Sequence, residues 1–201
     1  MIDYNTLFTH ALKMDSESVI SFLSEELPYL WRDAYLKMTP HPTNILRITL
    51  VGFEYLFDCY SELEASGAVP YDKYIEDRLV AVYGRSHANM RLRESSRIKA
   101  WLGPTRCFLG SGRDKGHFIA HSIGGLVDGF EINLFSQLRS LNRGWSLEGK
   151  LFRQMEQYCA SNPGTFVFNR PFYSDSTNRP SMIELGLLKK DGQFWVECFQ
   201  N

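Results

Sequence analysis

The spacing of the apolar residues changes at Leu102-Gly103-Pro104, and this change limits the fold more than any other feature of the sequence. Before it, apolar residues recur at the three- and four-residue intervals of helices, most clearly over 44–65 and 71–83. After it, short apolar or alternating runs and glycine-containing turns are typical of antiparallel strands, which we predict over 105–109, 165–169, 181–188 and 193–199. A hairpin turn is predicted at 190–192, and two helices are predicted over 134–141 and 145–159. We therefore predict an α+β protein with an N-terminal helical region, 1–101, and a second domain with an antiparallel sheet, 102–201.

Two more helices are predicted near the N-terminus, over 4–13 and from residue 16 to residue 38. Asp15 or Ser16 is expected to cap the second one, because their side chains accept hydrogen bonds from the first free amide groups of a helix. Pro28 is expected to interrupt or kink it. The simplest interpretation of these patterns is a helical bundle that folds or mediates contacts.

The composition is that of an ordinary soluble globular protein, with 44% apolar and 22% charged residues among 201. Residues 1–16 lack the pattern of a secretory signal, and no segment is long enough to span a membrane. We predict a cytoplasmic protein with no membrane partner; export without a cleaved signal is the alternative. Four widely separated cysteines predict reduced thiols, with two disulfides as the alternative; they are Cys59, Cys107, Cys159 and Cys198.

A net charge of −1 conceals an uneven distribution of charge. Residues 1–70 contain ten acids and four bases, whereas residues 71–120 contain ten bases and five acids. A polyanion would be attracted to the basic stretch. Arg97 and Lys99 lie in it and are candidate contacts for nucleic-acid phosphates; an ordinary solvated helix face explains them equally well.

The first motif, Asp114-Lys115-Gly116-His117, places a histidine directly after a glycine. Histidine changes charge near neutral pH, so it can act as a general base, a metal ligand or a cation. Three amides follow downstream, and uncharged oxygen ligands suit a hard cation such as magnesium; they are Asn133, Gln137 and Asn142. A helical zinc pair of His117 with His121 is the alternative, against which Gly116 and the β-favouring residues after it argue.

Four blocks in this part of the chain resemble the DNA/RNA non-specific endonuclease family, which belongs to the His-Me finger or ββα-metal nucleases. They are the first motif, Asn133-Leu134-Phe135-Ser136-Gln137, Leu141-Asn142-Arg143-Gly144-Trp145 and Met155-Glu156. The resemblance covers about 105–201, and four blocks in order are far more specific than one short motif. The usual opening is Asp-Arg-Gly-His, so Lys115 keeps the charge but loses the two-pronged guanidinium.

The resemblance implies a ββα-metal nuclease domain that hydrolyses phosphodiester bonds of DNA, and it leaves RNA open as a second substrate. It assigns His117 as the general base that deprotonates the attacking water. Asn142 would hold a single Mg²⁺, for which Mn²⁺ can substitute. Glu156 would hydrogen bond to metal-bound water, and Glu148 competes for this role because the spacing from Trp145 to Glu156 is long.

The resemblance also assigns supporting residues. Asn133 and Gln137 match its supporting amides, Asp114 opens its first motif, and Asn133 is a candidate for fixing the tautomer of His117. Lys115 is assigned to the catalytic residues and would hold flanking phosphates together with two arginines, Arg113 and Arg143. Because such contacts go to the nucleic-acid backbone, we expect little sequence preference.

Two other functions stay open at this stage. One is a nucleic-acid-binding or partner-regulated module that keeps the nuclease frame but has little turnover, which the Lys115 departure favours. The other is a toxin or defence effector nuclease that is restrained by its N-terminal helices, which would then bind an inhibitor or regulatory protein. The sequence carries no signal for the oligomeric state.

Overall fold

The computed structural model describes residues 2–4, 7, 9, 15–89, 111–126 and 131–201. Six of the described strands form one antiparallel sheet in the order β1-β2-β3-β6-β7-β8, and β4 and β5 form a separate two-stranded ribbon. The predicted α+β class is confirmed. The elements are α1 (Ser16–Met38), β1 (Ile45–Leu50), β2 (Phe53–Asp58), α2 (Tyr60–Ala65), β3 (Arg78–Arg85), β4 (Arg113–His117), two 3-10 turns (His121–Ile123 and Glu131–Asn133), β5 (Leu134–Leu138), α3 (Arg139–Asn142), α4 (Leu147–Ser161), β6 (Phe166–Phe172), β7 (Met182–Leu188) and β8 (Phe194–Gln200).

The helix predicted over 44–65 is wrong for most of its length, because β1 and β2 form a hairpin there. The two residues between the strands, Val51 and Gly52, have φ values of 44° and 84°. Two consecutive residues of positive φ make the tight turn whose twist matches that of paired strands. The apolar spacing suits a helix or a half-buried strand, and the turn decides between them.

Two other predicted helices are also wrong. The one over 71–83 is replaced by β3, which lies between β2 and β6 in the sheet. A strand covered on both faces is apolar at nearly every position, so its sequence lacks the alternation that identifies a strand. The helix predicted over 134–141 is mostly β5, followed by the short helix α3.

Several predicted elements are confirmed. Asp15 caps α1 by accepting hydrogen bonds from the backbone amides of Glu17 and Ser18. The interruption predicted at Pro28 is wrong, because α1 continues through this residue. The predicted helix after Trp145 is α4, and the three predicted C-terminal strands are β6, β7 and β8. The predicted hairpin turn before β8 has Gly192 at φ 82°. The helix predicted over 4–13 and the strand predicted over 105–109 fall mostly or wholly outside the described residues.

The two faces of the sheet carry separate cores. On one face α1 packs through fully buried residues such as Leu23, Leu27 and Trp31. On the other face lie the residues that follow β4, the ribbon and α4, with Phe118 stacked on Phe135 at a centroid distance of 4.4 Å. The sheet therefore separates α1 from the ribbon that contains the first motif.

The predicted boundary between 101 and 102 lies outside the described residues. On its two sides, however, β3 and β6 pair directly from Val82 with Asn169 to Arg85 with Phe166. The strands before the boundary thus complete the same sheet as the strands after it.

Three described cysteines carry free thiols, as predicted; they are Cys59, Cys159 and Cys198. Cys107 lies outside the described residues. No helix in the described part of the chain is long and apolar enough to cross a membrane.

Candidate active site

The first motif and the first amide block are paired strands. In the ribbon, Asp114 lies opposite Gln137 and His117 lies opposite Leu134. Within the described residues, no strand pairs with the outer edge of β4. The ribbon is followed by α3 and α4, so the chain runs strand, strand, helix through the blocks that the sequence singled out.

The side chain of Gln137 lies so close to the backbone at position 116 that only a glycine fits there. A Cβ atom at position 116 would lie 2.4 Å from Oε1 and 2.6 Å from Cβ of Gln137. Gln137 is buried and has little room to move. The glycine before the histidine and the glutamine of the amide block thus pack against each other across the ribbon, which keeps the two strands in register.

Asn133 fixes the segment that follows His117. Its Nδ2 atom donates to the carbonyl oxygens of Ile119 and Leu126 at 2.9 and 2.8 Å, and its Oδ1 atom accepts from the amide of Ile119 at 2.9 Å. The backbone amide of Phe118 donates to the carbonyl oxygen of Asn133 at 3.0 Å. The side-chain hydrogen bonds of Asn133 described by the structure therefore go to the backbone after His117, and they hold the end of β4 in place.

Asp114 is the centre of a polar cluster at the start of β4. Its carboxylate accepts from Arg139 Nε at 3.0 Å, from Arg143 Nε at 2.7 Å and Nη2 at 3.1 Å, and from Asn142 Nδ2 at 3.2 Å. Burial raises the pKa of Asp114, but the hydrogen bonds from Arg143, Asn142 and Arg139 outweigh it and bring this pKa below its usual range. The carboxylate stays ionised and fastens the turn after β5 to the first motif.

The contact with Asp114 determines how the amide of Asn142 is turned. A carboxylate can only accept hydrogen bonds, so the amide must present its NH₂ group to it. The Oδ1 atom of Asn142 then points away from Asp114. An amide oxygen held in this way is a suitable ligand for a hard cation that keeps most of its waters, so the donor chemistry fits the magnesium that the resemblance implies.

His117 ends β4 and is half-buried. Its Nε2 atom is buried. Side chains alternate along a strand, so His117 and Asp114 extend from opposite faces of β4, and their Cα atoms are about 10 Å apart along it. The hydrogen bond to Asp114 thus places Asn142 at the start of the strand that His117 ends.

The two candidate glutamates differ in environment. Glu148 is exposed in the first turn of α4, whereas Glu156 is half-buried two turns later. Burial raises the pKa of the Glu156 carboxyl to about 7, against the opposing effect of Arg153. Arg153 also donates from Nη1 to the carbonyl oxygen of Asn142 at 3.3 Å.

The predicted phosphate contacts fall into three groups. Arg143 is bound to Asp114 and lies 5.1 Å from the ring centroid of the exposed Trp145. Arg113 and Lys115 lie on the same strand face as His117, and burial lowers the pKa of both cations, with Arg179 adding to the effect at Arg113. Arg97 and Lys99 lie outside the described residues.

The sequence did not identify Arg139 or Arg153 as members of this cluster. Arg139 directly follows β5, and its role depends on the chain turning back towards Asp114. Arg153 lies three residues before Glu156 on α4, a spacing that places two side chains on the same helix face. This three-residue spacing is the sequence signal that could have identified Arg153.

A helical zinc pair is wrong for this chain, because His117 ends a strand and His121 begins a 3-10 turn. Within the described residues, no group of three or more histidine, cysteine, aspartate or glutamate side chains could hold a metal ion. This finding does not concern metal sites whose ligands are amide oxygens and water.

Neither a protein-family model nor a curated protein matches this sequence. Among solved structures, the chain is similar to the structure of Sda1 nuclease with a bound zinc ion, at 18% identity and a TM-score of 0.38. The match covers 84% of this chain and 80% of that one. A likeness of this strength carries no argument about fold or function.

Proposed function

We propose that this protein is a metal-dependent endonuclease that hydrolyses phosphodiester bonds in DNA, with RNA as a further candidate substrate. The observation that carries the proposal is the hydrogen bond between Asn142 and Asp114. It joins the turn after β5 to the strand that bears His117. It also directs the amide oxygen of Asn142 away from the carboxylate, as a ligand for a hard cation requires.

His117 is the general base of the proposed reaction. In its neutral form, the imidazole takes a proton from the attacking water. General base catalysis of this kind contributes roughly a hundred-fold or more. Asn133 acts as a positioning residue, since it holds the backbone directly after His117.

Asn142 would hold the Mg²⁺ ion through Oδ1, and Asp114 would keep that amide in place. When bound, the ion would supply charge neutralisation at the phosphate and stabilise the departing 3′ oxygen. Glu156 would accept a hydrogen bond from water at the ion when it is ionised. Burial raises the pKa of Glu156 to about 7, so its ionisation falls near neutral pH.

Arg113 and Lys115 share a strand face with His117 and would contact the sugar–phosphate backbone. Contacts to the backbone position a nucleic acid without reading its bases, so we expect cleavage with little sequence preference. Asp114 competes with phosphate for Arg143, which therefore positions Asn142 in addition to any contact with substrate.

The proposal is tested by incubating supercoiled plasmid with the purified protein and Mg²⁺. We expect degradation that stops in EDTA and in the His117→Ala and Asn142→Ala variants, while circular dichroism stays unchanged. His41→Ala is the matched control, because His41 lies beside Arg78 outside the ribbon. Full activity in His117→Ala would reject the proposal.

A second candidate function is nucleic-acid binding without turnover. The observation that favours it is the engagement of Arg143 by Asp114, which takes one expected phosphate contact away from the substrate. Salt-sensitive DNA binding without cleavage in Mg²⁺ or Mn²⁺ would support this function over the first.

Restraint of a toxic nuclease by the N-terminal helices has less structural support. The helix α1 packs on the sheet face away from the ribbon. A fragment that begins near Leu102 would also lose β1, β2 and β3 from the sheet, so it does not test restraint. An inhibitor of the proposed enzyme would have to bind on the ribbon side.

A further inference from the structure

Arg113 and Arg179 are brought together by one carbonyl group of β5. Arg113 Nη1 donates to the carbonyl oxygen of Ser136 at 3.1 Å. Asn201 Nδ2 donates to the same oxygen and to the carbonyl oxygen of Pro180, both at 2.8 Å. The residue before Pro180 is Arg179, so the C-terminal asparagine places the second arginine beside the first.

The loop that carries Arg179 is held on both sides. The amide of Ser181 donates to the carbonyl oxygen of Phe172 at 2.7 Å, and the amide of Asn178 donates to Glu76 Oε2 at 2.8 Å. Pro180 is buried, whereas Arg179 is exposed. The guanidinium of Arg179 is thus displayed to solvent from a fixed backbone.

Arg113 and Arg179 belong to the described arginines that form no ion pair with a described acid. Five described arginines form ion pairs with a carboxylate; they are Arg47, Arg85, Arg139, Arg143 and Arg170. No carboxylate in the described part of the chain pairs with Arg113 or Arg179. Burial and the charge of Arg179 lower the pKa of Arg113. Two cations held side by side repel each other unless an anion lies between them.

We propose that Arg113 and Arg179 together bind one phosphate of a nucleic-acid strand, separate from the phosphate that is cleaved. This inference rests on the proposed function for its substrate class. Guanidinium groups match phosphate oxygens with pairs of charge-assisted hydrogen bonds, which favours phosphate over a halide as the anion.

The spacing along β4 locates this phosphate relative to the cleaved bond. Arg113 and His117 are four residues apart on one strand face, which is about 13 Å. A stacked nucleic-acid strand rises about 3.4 Å per nucleotide along its axis, and its successive phosphates lie farther apart than this, so the two sites are at most about four nucleotides apart. The arginine pair would therefore act only on substrates long enough to reach it.

The length dependence of cleavage tests this inference. Single-stranded oligonucleotides of about two to about twelve nucleotides are cleaved with wild-type protein, Arg179→Gln and the control Arg32→Gln, an exposed arginine on α1. We expect kcat/KM of Arg179→Gln to fall about tenfold on the longest substrate and to stay within about twofold on the shortest. The control should follow the wild type at every length. An equal effect of Arg179→Gln at all lengths, or none, would overturn the proposal.

Binding in EDTA separates this proposal from the proposed activity. The plot of log K against log salt has a negative slope, and loss of one phosphate contact should make it shallower by about 0.7 for a single strand. Such a change in Arg179→Gln, absent from Arg32→Gln, supports the arginine site even if no variant cleaves. An unchanged slope in Arg179→Gln rejects the site even if the wild-type protein cleaves DNA. The side chain of Arg179 makes no hydrogen bond within the described residues, so the variant should fold normally.

Discussion

Two clusters of arginine and carboxylate in this molecule share their chemistry but differ in burial. In the first, Arg170 and Glu184 are cross-strand partners with side chains 4% and 1% exposed, and the hydroxyl of Tyr4 donates to Glu184. In the second, Asp114 is 14% exposed and its arginine partners are 40% and 49% exposed. A buried pair is costly to break, whereas a half-exposed cluster can orient a neighbour at little cost in stability.

The difference indicates separate roles. The Glu184 cluster lies between paired strands and α1, where Trp31 Nε1 donates to the hydroxyl of Tyr4 at 3.1 Å. The Asp114 cluster lies at the start of β4, where it holds the Asn142 amide. We expect the first to support the fold and the second to support the reaction.

The largest effect on stability is expected from Glu184→Ala. The substitution leaves the charge of Arg170 buried without a partner, which costs about 3–5 kcal/mol. Urea unfolding measures this cost, and the folded fraction should keep the proposed nuclease activity. Replacing both residues together, as Glu184→Leu with Arg170→Met, should recover most of the loss. A cost below about 1 kcal/mol for Glu184→Ala would contradict the assigned role.

Gly116→Ala is expected to have the next largest effect, about 1–3 kcal/mol, because its Cβ would overlap the buried Gln137 side chain. The loss should shrink in the Gly116→Ala, Gln137→Gly double variant relative to the sum of the single changes. If the changes in the free energy of unfolding of the two single variants simply add in the double variant, the two residues do not interact.

Asp114→Asn should cost less stability, at most about 1 kcal/mol, because its arginine partners are largely solvated. Its effect on activity should be larger, about 10- to 100-fold, with a higher half-saturating Mg²⁺ concentration, because the amide of Asn142 loses its anchor. The lowered pKa of Asp114 adds stability at pH values above about 4, and this contribution is lost as the pH falls further. An unchanged Mg²⁺ dependence would refute the anchoring role.

Glu156→Gln should leave the free energy of unfolding at low pH nearly unchanged. It should change how this free energy depends on pH. The folded protein favours the protonated carboxyl, since burial raises its pKa to about 7. Ionisation is easier in the unfolded chain, so the wild type should lose stability as the pH rises from about 4.5 to about 7. Thermal unfolding across this range should be flatter for Glu156→Gln. Glu148→Gln, at an exposed site of the same helix, is the control.

Strands are easier to predict from the sequence where the turn between them has a recognisable sequence. The strands β7 and β8 were recognisable because Lys190-Asp191-Gly192 is a familiar hairpin sequence. The turn between β1 and β2 uses Val51 at φ 44°, a conformation that a β-branched residue rarely adopts. No turn signal therefore separated these strands, and their apolar residues matched a helix equally well.

The sequence predicts a set of candidate site residues but not the contacts between them. The spacing of the amides identified Asn133, Gln137 and Asn142 as candidates. The sequence could not show that Asn133 bonds to the backbone after His117, or that Asp114 binds Asn142 and Arg143 together. Such contacts depend on how the chain reverses after β5, which no local pattern of residues specifies.

The central claim is that the Asn142 amide and the His117 ring serve one hydrated divalent cation at the edge of β4. Anomalous diffraction from crystals soaked in Mn²⁺ tests it most directly. The account predicts one strong peak about 2.0–2.3 Å from Oδ1 of Asn142, on the side that His117 can reach through water. A map with Asn142 well ordered and no peak beside it, at a Mn²⁺ concentration that saturates cleavage, would contradict the account.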